Sequence, residues 1–168
     1  MKRMFVVYGE KDSGKSHTMW LLLSHLLQKG AKIIDPMYHV ANPFAYEHIM
    51  ESKNPLPDFR AVVDWKGKKV MLLSAGDYLV HHYWGFRLHI RWAIEQDVDY
   101  VVCCSRSLNR KGSIYRELMD VYRGQVLVDD DWFWVEKMDR DADWLQARDK
   151  TANEILAKIQ LAINHSGM

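Results

Sequence analysis

Apolar and polar positions along this chain fall into two rhythms, short continuous apolar runs and longer stretches with helical spacing. Met4-Phe5-Val6-Val7-Tyr8 is a run of β formers. After a glycine-bounded polar stretch, His17 to Lys29 reads as a helix. Met19, Leu22, Leu23, Leu26 and Leu27 share one face, Ser24, His25, Gln28 and Lys29 the other, and Gly30 stands where a C-terminal cap belongs. Ala31 to Asp35 is a short strand stopped by Pro36, and strand–helix–strand predicts a βαβ unit with a parallel sheet. Asn42-Pro43 predicts a helix over Pro43 to Ser52, then a loop over Lys53 to Asp58. Phe59 to Trp65 and Lys69 to Ala75 flank Lys66-Gly67-Lys68 as a hairpin. Its first arm, carrying Arg60 and Asp64, suits an edge strand, and its second, continuously apolar, a central one. Tyr78 to Gln96 reads as a long helix weakened by Gly85, and Asp99 to Cys104 as a buried strand. The polar loop Ser105 to Ser113 follows, then a helix over Ile114 to Tyr122 and strand-like segments at Gln125–Val128 and Trp132–Glu136. From Asp143, the spacing of Trp144, Arg148, Ala152, Ile155, Ile159 and Ala162 predicts a terminal amphipathic helix. No linker divides the chain, so residues 1–168 are expected to form one domain. The fold class is α/β, three layers: a mostly parallel sheet, helices on both faces and one antiparallel edge hairpin.

Composition narrows the function classes. With 48% apolar residues the chain has ample core and is not a disordered protein. A net charge of +1 argues against a dedicated nucleic-acid binder. Cys103 and Cys104 are adjacent inside an apolar run, which suits a reduced, cytoplasmic setting rather than a disulfide framework. The apolar stretch after Met1-Lys2-Arg3 ends at Gly9, unlike a signal peptide, and no membrane span is expected.

The chemistry concentrates at Gly9-Glu10-Lys11-Asp12-Ser13-Gly14-Lys15-Ser16, which matches the phosphate-binding pattern GxxxxGK[ST] between a strand and a helix. In that setting successive backbone N–H groups, through His17, curl around an anion at a helix N-terminus. Gly9 and Gly14 admit the close backbone approach, Lys15 reaches the β- and γ-phosphates, and the Ser16 hydroxyl ligates Mg²⁺. A second carboxylate is required, and Ser74-Ala75-Gly76-Asp77 supplies the first candidate. Gly76 lets backbone approach a γ-phosphate, and Asp77 follows as metal ligand or base, or as the N-cap of the next helix. Asp35, at the end of the second strand, is the other metal candidate, or simply a polar strand terminus.

These motifs resemble the P-loop NTPase superfamily, whose fold and triphosphate binding the resemblance implies. The hairpin ending in Ser74 to Asp77 looks like the paired strands entering the DxxG loop of small GTPases. In that overlay Gly76 matches the glycine and Asp77 the water-orienting position, while Leu73 stands where the metal-associated aspartate would be. The guanine-reading motif is replaced by Cys104-Ser105-Arg106, so ATP is favoured over GTP. The chain also resembles uncharacterised bacterial P-loop ATP-binding proteins in Ser74 to Asp77 and in Cys103 to Ser113, with Arg106, Gly112 and Ser113.

Arg106, Arg110, Lys111 and Arg116 crowd the loop after the Cys103-Cys104 strand, where parallel-sheet proteins build their sites. Arg106 and Arg110 are the candidate phosphoryl contacts, against a plain solvated basic loop. His81-His82 and His89 lack the i, i+4 spacing of a helical zinc pair, and Asp129-Asp130-Asp131 reads as a solvated turn. Trp132 and Trp134 alternate and share one strand face. Three functions compete: an ATPase with water as acceptor, a kinase of a nucleotide or small metabolite with an acceptor site in Pro36 to Asp58, and a module that holds ATP without turnover. The aromatic content leaves room for an exposed patch and an oligomer.

Overall fold

The computed structural model describes residues 3–106, 113–122 and 129–166. One six-stranded mixed sheet collects strands from the whole described chain, in the order β2-β3-β4-β5-β1-β6. The strands are β1 (Arg3–Gly9), β2 (Lys32–Asp35), β3 (Arg60–Trp65), β4 (Lys68–Leu73), β5 (Tyr100–Arg106) and β6 (Asp129–Trp134). β1 pairs in parallel with β5 and β6, and β4 in parallel with β5. β3 runs antiparallel to both β2 and β4. The helices are α1 (Lys15–Gln28), α2 (Tyr46–Glu51), α3 (Phe86–Glu95), α4 (Ile114–Glu117), continued by a π-helical turn Leu118–Tyr122, and α5 (Ala142–Ser166).

Alternation along β1 divides the core. Phe5 and Val7 pack with Leu22 and Leu26 of α1 and Ile155 and Ile159 of α5 on one face of the sheet. Met4 and Val6 pack with Phe86 and Ile90 of α3 and Leu118 on the other. Among the described residues no helix is long and apolar enough to cross a membrane.

Several expectations are corrected. β2 does not pair with β1 but lies at the far edge, because Lys32 and Asp35 interrupt the apolar run that a doubly buried strand needs. β3 is internal, with its Arg60 accommodated by stacking 4.0 Å over the Trp92 ring and by an ion pair to Asp35 at 3.2 Å. The helix expected over Pro43 to Ser52 shortens to α2. The helix expected from Tyr78 begins only at Phe86. Before it, the Gly85 N–H donates to His81 O, and His81 Nδ1 accepts from the N–H groups of Tyr83 and Trp84, folding the segment into turns. His81 and His82 are therefore not helical, and Asp77 caps no helix. Asp129 to Asp131 is strand rather than turn, with Asp131 held by Arg3 at 2.6 Å. The strand expected at Gln125–Val128, together with Arg110, Lys111 and Gly112, lies outside the described residues.

Other expectations hold. α1 ends with Gly30 N–H donating to Leu27 O and Ala31 N–H to Leu26 O, the paired bonds of a Schellman cap. Trp132 and Trp134 both pack against Tyr8, with centroids at 5.5 and 5.2 Å. Cys103 and Cys104 are fully buried, and burial pushes the Cys103 thiol up to about 12, so both serve as small apolar side chains.

Candidate active site

The loop from Gly9 to Ser16 leaves the C-terminal end of β1 and turns into α1. Ser13 N–H donates to Glu10 O at 3.2 Å, Asp12 adopts a left-handed φ of 62°, and Gly14, the N-cap of α1, has φ 102°. A Cβ on Gly14 would come within 2.5 Å of the Trp144 ring, so both the angle and the space demand glycine. Thr18 is the first residue whose N–H closes on the helix, at Gly14 O, and no side chain caps the end. The N–H groups of Lys15, Ser16 and His17 are thus the orphan donors of the helix start, and the helix dipole adds positive potential there.

Lys15 is buried, and its ammonium donates to Gly9 O at 3.1 Å and Glu10 O at 2.9 Å. Burial lowers its pKa below the usual lysine value, opposed in part by the Asp77 carboxylate. The cleft in front of it, about 190 Å³, is walled by the loop from Gly9 to Ser16 on one side. Opposite stand Leu56 and Asp58, then Ser74, Gly76 and Asp77, with Arg140 at one end.

The carboxylate that meets Ser16 is Asp58. Its Oδ1 accepts from Ser16 Oγ at 3.3 Å and from Ser74 Oγ at 3.1 Å, while Ser74 Oγ accepts from Phe59 N–H at 2.8 Å. Burial raises the Asp58 pKa, and the two hydroxyl hydrogen bonds oppose the rise. The two metal candidates from the sequence are engaged elsewhere. Asp77 lines the cleft but is bonded by Arg106 Nε at 2.8 Å. Asp35 is held by Arg60, on a strand four steps across the sheet from β1, about 19 Å at ordinary strand spacing. Gly76 packs on β5, where an added Cβ would lie 2.8 Å from the Cys104 carbonyl carbon, so close strand packing alone requires glycine there.

The loop is gripped from behind by α5. Trp144, fully buried, donates Nε1–H to Ser13 O at 3.1 Å, and buried Arg148 donates to Ser13 O at 2.6 Å and Glu136 O at 2.8 Å. His17 lies against Trp144, with centroids 4.7 Å apart, and its Nε2–H donates to Ser52 O at 2.8 Å. Burial, with the nearby Arg140 charge, lowers the His17 pKa and keeps the ring neutral. Away from the cleft, His89 Nε2–H donates to Tyr83 O at 2.7 Å, leaving Nδ1 to accept from Arg60, so it is a satisfied core histidine.

Lys15, Ser16, Gly76, Asp77 and Arg106 are therefore gathered about the cleft, while Asp35, on the edge strand four places across the sheet from β1, is not. Lys11 and Asp12 also line the cleft, whereas Arg116 of α4 pairs with Asp120 of the π-helical turn that follows. Asp58, Arg140, Arg148 and Trp144 were not picked out as site residues by motif. For Asp58 a signal existed: counting back from the Lys66-Gly67 turn sets residue 59 opposite Ser74, which brings Asp58 to the end of the sheet where β4 finishes. No family model, curated protein or solved structure matches the chain.

Proposed function

We propose that the chain binds a magnesium nucleoside triphosphate in this cleft, ATP in preference to GTP, and passes the terminal phosphoryl group to water. One observation carries the reading: a buried ammonium, Lys15, rests on loop carbonyls beside the uncapped N–H groups of α1. Phosphate oxygens are stronger acceptors for an ammonium than carbonyls, so a polyphosphate would compensate the burial of Lys15 that lowers its pKa.

Magnesium takes hard oxygen donors, usually one or two carboxylates with substrate phosphates, and the donor set here fits. Ser16 Oγ and the Asp58 carboxylate would hold it. When bound, the ion neutralises charge on the phosphate oxygens. The half-buried Asp58 carboxylate, whose pKa is raised by desolvation, would be relieved by such an ion. Arg106, offered phosphate oxygens, exchanges Asp77 for them and stabilises charge in the transferring group. The released Asp77 carboxylate then orients a water and takes its proton.

A second reading, nucleotide held without turnover, is favoured by the Asp77–Arg106 pair itself, because it occupies the carboxylate available to act on water. A kinase would need its acceptor within the cleft. The segment from Pro36 to Asp58 lends the cleft only Pro55, Leu56 and Asp58, and its separate groove, lined by Ser24, Leu27, Phe44 and Tyr46 among others, shares no residue with the cleft.

Calorimetric titration with Mg·ATP, together with phosphate release, tests the proposal. Wild type should bind and release phosphate, and Lys15→Ala should lose about 100-fold in affinity with its melting temperature maintained. A flat titration of folded wild type overturns nucleotide binding. Binding without phosphate release leaves the second reading.

A further inference from the structure

Arg140 lies on the segment between β6 and α5 and reaches one end of the cleft. It donates to Lys53 O at 3.1 Å and to Asp12 O at 3.4 Å, bridging the loop before β3 and the phosphate-type loop. Its guanidinium sits 4.8 Å from the centroid of the Trp144 ring, which supports the fork from one side. Among the described residues its hydrogen-bond and stacking partners are neutral: two backbone oxygens and that ring.

The other arginines around the sheet end are differently placed. Arg106 is paired with Asp77, Arg60 with Asp35, and Arg148 is buried on the Ser13 and Glu136 carbonyls. Arg140 is half-buried and lines the cleft, and although Asp12, Asp58 and Asp77 line it too, among the described residues no carboxylate is ion-paired with Arg140. A guanidinium has five N–H donors in a planar fork that matches two oxygens of one phosphate group. Two carbonyls at 3.1 and 3.4 Å, belonging to separate loops, use that fork poorly. An anion entering between those loops meets a cation already oriented by Trp144.

We infer that Arg140 is a polyphosphate-binding residue, which leaves the carbonyls of Lys53 and Asp12 for oxygens of the phosphate chain. The inference rests on the reading of the cleft as a nucleoside triphosphate site. It adds a third element, from the segment ahead of α5, to Lys15 and the helix start. It also makes the contact one with phosphate rather than with the nucleoside.

Affinities for Mg·ATP and for magnesium tripolyphosphate, which lacks a nucleoside, test it in wild type, Arg140→Gln, Arg140→Lys and Lys15→Ala. Arg140→Gln should weaken both ligands by the same factor, about tenfold, and Arg140→Lys should recover part of the loss. The affinity of Arg140→Gln should also fall less steeply with added salt, because one ionic contact is gone. Weakening of ATP alone would make Arg140 a nucleoside contact and overturn the inference. So would unchanged affinity for both ligands. A brace would show as a lower melting temperature without ligand and an unchanged salt dependence, and that also overturns it. If wild type bound ATP but not tripolyphosphate, the phosphate chain would not be what the cleft grips, and the inference would fall. If wild type bound neither ligand, the triphosphate reading itself would fail. If Lys15→Ala lost binding while Arg140→Gln bound as wild type, only the Arg140 inference would fail.

Discussion

The two walls of the cleft are built on opposite principles. The wall from Gly9 to Ser16 is one continuous stretch of chain, braced by Trp144 and Arg148 of α5 behind Ser13 and Gly14. The facing wall assembles Asp58, Ser74 and Asp77 from the two ends of the β3–β4 hairpin, with Arg106 from β5. The first wall is held by buried packing and buried hydrogen bonds to Ser13, the second by side-chain hydrogen bonds that are part-buried at Asp58 and exposed at Asp77. Rigidity therefore belongs to the Gly9–Ser16 side, and adjustable polar contacts belong to the side where, on the proposed reading, a metal and a water would act.

Removing the brace should have the largest effect. Trp144→Ala deletes a fully buried indole that packs on Gly14 and bonds Ser13, and should cost about 3–5 kcal/mol in denaturant unfolding. A cost below about 1 kcal/mol would show that the first wall does not depend on α5.

Asp58→Asn should separate stability from function. Affinity for Mg·ATP should fall about tenfold or more, whereas the ligand-free protein should be no less stable. The folded-state pKa of Asp58 is raised above its ordinary value of 3.8. Its protonated form therefore favours folding below that value, and the advantage is lost as pH rises through the folded pKa. The stability of Asp58→Asn relative to wild type should accordingly improve from pH 4 to pH 7.5 in thermal melts. A constant difference would remove the argument from desolvation of the Asp58 carboxylate.

Asp77→Asn should change stability by less than about 1 kcal/mol, since its pair with Arg106 is partly exposed, yet lower phosphate release more than affinity. Equal losses in both would assign Asp77 to binding alone. The smallest effect belongs to His17. Its folded-state pKa lies below 6.5, so its stabilising contribution is present above that value and is lost as pH falls through the folded pKa. His17→Gln should shallow the decline in melting temperature on the acid side of pH 6.5, and an identical slope would argue against a neutral buried ring.

The strand–loop–helix unit around Gly9 to Ser16 was legible because its geometry is local: strand, glycines, lysine, serine and helix follow one another along the chain. The same holds for α5, whose apolar spacing marks the face that packs on α1. The strand order was harder to read. A short strand after α1 looks like the next parallel neighbour, but the continuously apolar β4 and β5 occupy the central positions, and Lys32 and Asp35 leave β2 at the edge. The helix expected from Tyr78 failed for a related reason. Periodicity there was real only from Phe86 onward, and side-chain and backbone bonds at His81 set up turns before it.

By itself, then, the sequence determined an α/β chain with a glycine-bounded turn between its first strand and first helix, because those features depend on neighbours in the chain. Only the tertiary structure decided that Asp58 rather than Asp77 or Asp35 meets Ser16, and that Trp144, Arg148 and Arg140 reach the loop from far along the chain. Those contacts join residues distant in sequence, and their partners are chosen by strand order and hairpin register, which no single segment encodes.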